Sequence, residues 1–163
     1  MKKAVFCLIA LLFVTGIVLA DSVALTVKGV IALRDEKGEY AFTMEELEAL
    51  PQTTYFVTDP YLGDKTYRGV AVSEILKFVG VPANTKNVVI VASDGMEFSL
   101  EYLDVIEYPI ILAYATVSNE KVRAIPASQG GPIKLVFPIE EHPDLLEKYP
   151  EWSWWVVEIR VEM

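Results

Sequence analysis

Cysteine is nearly missing from this chain: Cys7 is the single example, and none follows it. Past that point no disulfide, thiolate metal site or cysteine nucleophile can be built. Histidine is as scarce, with His142 standing alone in EEHPD beside Glu140, Glu141 and Asp144. Consecutive residues cannot all face one point, so the stretch reads as a solvated acidic loop and offers neither a metal cluster nor a catalytic triad. Basic residues are few as well: 14 Lys and Arg against 23 Asp and Glu leave a formal charge of −9. That balance repels nucleic acid and anionic membrane and supplies no basic stripe for either. No repeat, low-complexity tract or internal linker is visible.

One long apolar run is present. Ala4 to Leu19 follow Lys2 and Lys3 and lead to Ala20 and Asp21. This is the pattern of a secretory signal peptide cut after Ala20; an uncleaved anchor is the alternative, since the run is at the short end of a bilayer span. Cys7 sits too early in the run for a lipoprotein cleavage site. The expectation is a leader over 1–20 and one exported domain over 21–163, secreted or periplasmic and free of the membrane. Losing Lys2 and Lys3 takes the formal charge from −9 to about −11.

Along the domain, Val23, Leu25 and Val27 alternate with smaller or polar residues and predict a half-buried strand. DEKGE (Asp35–Glu39) predicts a turn and Tyr40–Phe42 a short strand. Thr43 and Glu46 have capping-box spacing before a helix stopped by Pro51. Thr53–Thr58 predicts a strand, and DPYLGDK (Asp59–Lys65) a loop. A second helix starts at Ser73, with Ile75, Leu76 and Val79 inward and Gly80 past its end. Asn87–Ala92, Ile110–Tyr114 and Ile133–Phe137 predict buried strands, with Ser93-Asp94-Gly95 a turn. His142–Pro150 predicts a brief helix, and alternation from Trp155 to Val161 a final strand. Short strands mixed with a few short helices define an α+β (mixed α/β) domain.

Several pieces, in order, resemble the oxidoreductase molybdopterin-binding domain family, which has the sulfite oxidase-like fold. They are FTMEELEALPQ (Phe42–Gln52), YRGVAVSEILKFVGV (Tyr67–Val81), ASDGMEFSL (Ala92–Leu100), PIILAY (Pro109–Tyr114), GGPIKLVFP (Gly130–Pro138) and WSWWVVEIRVE (Trp152–Glu162). The resemblance implies mixed sheets with short helices, and loops that enclose a pterin and its phosphate. It implies cofactor-facing positions at Thr58, Asp59, Arg68, Asp94, Gly95, Gln129, Gly130, Gly131 and Lys134.

Three departures qualify it. Catalytic members hold molybdenum through a cysteine in the loop where this chain has YFVTDPYLG (Tyr55–Gly63). A thiolate is a soft, charged ligand that neither Thr58 nor Asp59 reproduces. The family's basic run near the C-terminus is replaced by EWSWWV (Glu151–Val156), and its histidine before the glycines by Gln129.

Two readings stay open for Gly130, Gly131 and Lys134: amides and a cation meeting an anion, or a turn before a strand with Lys134 in water. Asp94-Gly95 is a pocket wall by resemblance or a plain hairpin turn. Arg68 contacts an anion or neutralises Asp64 and Glu74. Alternation sends Trp154 and Trp155 to opposite faces, so at least one is expected in the core; with Trp152 they otherwise form an aromatic ligand wall.

The expected function is an exported, non-catalytic binding or sensory module for a small molecule, an anion or a pterin relative. No catalytic residue, no metal ligand and no cofactor are expected, molybdopterin being the cofactor the resemblance allows. The enzyme alternative is a molybdenum-dependent oxidoreductase with Asp59 or Thr58 as ligand. A third reading is an interaction subunit docking on a periplasmic redox or sensor partner through Tyr61, Leu62 and the tryptophans.

Overall fold

In the computed structural model, which describes residues 22–163, alternation decides where most strands form. The leader and its cleavage point lie outside the described residues. Strand β1 (Val23–Gly29) buries Leu25 and Val27 and leaves Thr26 and Lys28 half-covered. After the Asp35–Gly38 turn, β2 (Glu39–Thr43) runs back along it. Helix α1 (Met44–Ala49) starts at the capping box: the Glu46 amide donates to Thr43 Oγ1 at 3.2 Å, and the Thr43 amide to Glu46 Oε2 at 2.9 Å.

Strands β3 (Gln52–Asp59) and β4 (Gly63–Ala71) form a hairpin in register from Gln52↔Val70 to Asp59↔Gly63. The loop predicted over Asp59–Lys65 is therefore shorter than its turn-forming composition indicates, and Gly63 already belongs to β4. Helix α2 (Val72–Val79) buries Val72, Ile75, Leu76 and Val79 and ends at Gly80, whose φ of 72° is the left-handed conformation glycine adopts at low cost.

Then come β5 (Asn87–Ala92), β6 (Glu97–Glu101), the short helix α3 (Tyr102–Glu107), β7 (Ile111–Ser118) and β8 (Lys121–Ala124). A single 3-10 turn at Ala127–Gln129 precedes β9 (Lys134–Val136). Helix α4 (Asp144–Lys148) and β10 (Val156–Glu162) complete the chain.

The strands make two sheets. One has the order β2-β1-β10-β5-β6, with β1 and β10 parallel and the other pairs antiparallel. The other runs β3-β4-β7-β8, with β9 also on β7. Both feed one apolar core, to which β1 and β10 bring Val27 and Ile159, β9 brings Leu135, and α2 brings Ile75. The α+β class expected from the sequence is the one observed. What matters for the site is that the β3–β4 turn, the start of β9 and the segment before β10 converge.

Candidate functional site

Asp59 is the last residue of β3, and alternation turns it inward while Thr58 faces out. It is 2% exposed. Oδ1 accepts the amides of Tyr61 at 2.9 Å and Leu62 at 3.1 Å, which fixes the β3–β4 turn. Oδ2 accepts the Tyr67 hydroxyl at 2.7 Å and forms an ion pair with Lys134 Nζ. Lys134, the first residue of β9, is fully buried. Its ammonium also lies 4.9 Å from the Trp154 ring centroid, 5.5 Å from that of Tyr67 and 5.6 Å from that of Trp152. Neither open reading of Lys134 survives: it points neither to water nor to an open anion site, because a carboxylate 75 residues earlier in the chain captures it.

Burial pushes the Asp59 carboxyl upward, but hydrogen bonds from Lys134, Tyr67 and the Tyr61 amide, with the lysine charge, outweigh it and hold it below 3.8. Lys134 is pulled below its usual value by burial, against the pull of Asp59. Burial and then Asp59 keep the Tyr67 phenol protonated far above its ordinary range.

The two ionic partners therefore act in opposite senses. Asp59, lowered on folding, contributes stability that is full above 3.8 and is lost as pH falls through its folded value. Lys134, also lowered, costs stability below its folded value, and that cost is relieved as pH rises toward 10.5. Urea unfolding across the acid range is expected to show a loss of stability below about pH 4 that is reduced in an Asp59→Asn/Lys134→Met protein. Parallel acid profiles for the two proteins would assign that loss to other carboxylates.

The glycines before β9 are explained by packing. Gly130 donates to the Ala127 carbonyl at 3.2 Å and Gly131 to the Pro126 carbonyl at 3.1 Å, so neither amide is free for an anion. Gly130 has φ of 91°, and a Cβ there would lie 2.6 Å from Trp154 Cγ. At Gly131 a Cβ would lie 1.8 Å from the Ile125 carbonyl oxygen.

Beside the ion pair is a cleft of about 320 Å³. Tyr61, Met96, Phe98, Trp152, Trp154 and Trp155 line it, and Asp94, Glu97 and Glu151 bring carboxylates. Trp154 stands nearly perpendicular to both Tyr61 and Trp155, at 87° and 5.8 Å between centroids in each pair. Both of these tryptophans line the cleft, against the expectation from alternation. The strand begins only at Val156, and Trp155 has φ of 53°, which breaks the two-residue period.

A bulky residue rarely adopts that backbone. Three hydrogen bonds hold it: Trp155 N–H to the Gly130 carbonyl at 2.8 Å, the Ser93 amide to the Trp155 carbonyl at 2.9 Å, and Trp155 Nε1 to the Ala127 carbonyl at 2.8 Å. Among the described residues, Trp152 Nε1 and Trp154 Nε1 are the buried side-chain polar atoms without a partner. No pattern in the sequence announces these two orphan donors.

The remaining candidate residues are dispersed. Asp94 lines the cleft and accepts the Met96 amide at 3.1 Å, with Gly95 at φ of 86° completing the β5–β6 turn. Gln129 ends the 3-10 turn, its amide donating to Pro126, and lies outside the cleft lining. Thr58 donates its amide to Glu140 and its hydroxyl to Asp64, outside the cleft. Burial pushes the Tyr114 phenol up, and the nearby Arg68 guanidinium opposes it. Arg68 does not neutralise the two expected acids, since Asp64 accepts from Thr58 and Glu74 pairs with Lys77. His142 packs against Tyr108 at 4.8 Å, and no metal-binding cluster occurs among the described residues.

The order of sheets, helices and site loops is that of a known class. Residues 14–141 match the family model described as the oxidoreductase molybdopterin binding domain, and the chain belongs to that family. Among solved structures it is similar to the sulfane dehydrogenase SoxCD from Paracoccus pantotrophus, at 18% identity and a TM-score of 0.63. The match covers 85% of this chain and 37% of that one, so the chain spans a little over a third of its length. No match is found among curated proteins.

The family implies a molybdopterin, and the residues present do not fit that group. Both oxygens of Asp59 are engaged within the protein, which leaves no open ligand position where the resemblance calls for a thiolate. The Gly130 and Gly131 amides and the Lys134 ammonium are consumed internally. Carboxylates line the adjoining cleft, and no lysine or arginine is among its lining residues. A phosphate-bearing, metal-carrying cofactor needs the opposite charge and a soft donor.

Proposed function

We propose that this chain is an exported, non-catalytic module that keeps the molybdopterin-binding fold and uses its aromatic cleft to bind or sense a small organic molecule. The observation that carries this reading is the closed Asp59–Lys134–Tyr67 cluster, which includes Asp59 of the loop where the resemblance places the family's metal ligand. Both Asp59 oxygens, the Tyr67 hydroxyl and the Lys134 ammonium are already paired within the protein, while the cleft next to them stays open to solvent. A molybdenum-dependent oxidoreductase would have to break the buried ion pair to free Asp59, and even then would gain only a hard oxygen donor.

Export with removal of residues 1–20 belongs to the same proposal and rests on the basic, apolar start of the sequence. Docking to a redox or sensor partner is a second reading, supported by the 53% exposure of Tyr61 at the cleft mouth.

The test uses protein isolated under native conditions from its own host. Denaturation is expected to release a small organic molecule in amounts comparable to the protein, and Trp154→Ala protein is expected to release far less. Equal release from both proteins, or none from either, would count against the cleft as a binding site.

A further inference from the structure

We propose that the cleft takes a small organic cation, a quaternary or protonated amine whose other end carries a hydrogen-bond acceptor. The inference rests on the ligand-binding function above and names the ligand's chemistry.

Three features of the cleft set that chemistry. Tyr61, Trp154 and Trp155 meet at near right angles, with Trp154 common to both 5.8 Å pairs. Perpendicular aromatic walls hold a cation by presenting the negative faces of their rings, most effectively where water is excluded. Next, the lining charge is of one sign. Glu97 is paired with Arg160, at 2.6 Å for its shorter contact, but Asp94 and Glu151 form no ion pair among the described residues. An anion entering here meets two uncompensated carboxylates, and a cation is attracted by them. Lys134, behind Trp154, does not reverse this, because Asp59 matches its charge directly.

The third feature fixes the other end of the ligand. Trp152 is 5% exposed and its Nε1–H has no acceptor, and the Trp154 Nε1–H is likewise buried and unpartnered. Buried donors are almost always satisfied; both orphans belong to residues that line the cleft but are themselves shielded from solvent, so an acceptor on the ligand would reach them by displacing the side chains that cover them. The left-handed backbone of Trp155 points the same way. An unfavourable conformation held by three hydrogen bonds persists where the side chain has a task.

The experiment compares three probes of similar reach by calorimetry and tryptophan fluorescence. Acetylcholine carries a quaternary ammonium and a carbonyl acceptor, 3,3-dimethylbutyl acetate is its uncharged counterpart, and pterin-6-carboxylate is an anion. Acetylcholine is expected to bind about tenfold more tightly than the uncharged ester, with an affinity that weakens as salt is added. In an Asp94→Asn/Glu151→Gln protein the preference should shrink to the part the aromatic walls supply and lose its salt dependence, while the ester's affinity holds. That variant removes exposed charges and leaves the aromatic walls in place. Equal or tighter binding of the ester or the carboxylate, with a matching change in tryptophan emission, overturns the cation assignment and leaves the binding function standing. Failure of all three probes to bind overturns the cation assignment and removes support from the binding function with it.

Discussion

Asp59→Asn is expected to lower the unfolding free energy by about 3–5 kcal/mol, the usual cost of removing one partner from a buried ion pair. Asparagine keeps an oxygen for the Tyr61 and Leu62 amides, so the turn is retained and the loss falls on Lys134. Its ammonium would be left among Tyr67, Trp152 and Trp154, with aromatic faces and a long 3.4 Å hydrogen bond to the Tyr67 hydroxyl in place of a counter-charge. Because burial already lowers Lys134, the variant should recover part of its stability at alkaline pH by releasing that proton.

Lys134→Met is expected to cost less, since Asp59 retains the Tyr67 hydroxyl and two amides. The double variant should regain most of the loss, because an apolar side chain of similar volume replaces a charge that has lost its reason to be buried. Urea unfolding of the four proteins as a double-mutant cycle measures this directly. A solvent-facing Lys134 would give an Asp59→Asn cost of about 0–1 kcal/mol and no coupling.

The second large effect lies three residues before that lysine, at Gly131. Alanine there would place its Cβ 1.8 Å from the Ile125 carbonyl oxygen and 2.5 Å from the carbonyl carbon. Both are backbone atoms and cannot rotate away, so the segment must shift bodily. The expected result is a loss above about 4 kcal/mol or failure to fold.

Gly130→Ala is expected to be milder, at about 1–2 kcal/mol, although its backbone is left-handed. Its obstacle is the Trp154 indole, a side chain that can swing, so the change should appear as altered tryptophan emission and a reshaped cleft. If instead Gly131→Ala folds with wild-type stability, close packing is not the reason for the glycine pair.

Much of the fold was legible because local signals agreed with tertiary ones. Thr43 and Glu46 announced α1, Gly80 the end of α2, and the apolar runs at Asn87 and Ile111 two central strands. Helix α3 escaped because its N-cap is Glu101, with no side-chain capping bond to mark the start. Strand β4 was obscured because Asp64 and Lys65 read as loop beside Gly63, yet pairing with β3 makes them strand.

The site was legible only in part. The resemblance marks Asp59 and Lys134 alike, but as separate cofactor contacts. That they satisfy each other depends on bringing β3 and β9 together, which no spacing in the sequence encodes. The aromatic cleft was hidden by one dihedral angle: the left-handed turn at Trp155 puts two consecutive tryptophans on the same cavity.

Molybdenum content bears most directly on the central claim, that this member of the family has closed its metal position with a buried ion pair. Elemental analysis of protein purified from its own host, grown with molybdate, is predicted to show no stoichiometric molybdenum. One atom per chain, retained through gel filtration and accompanied by pterin fluorescence on denaturation, would contradict it.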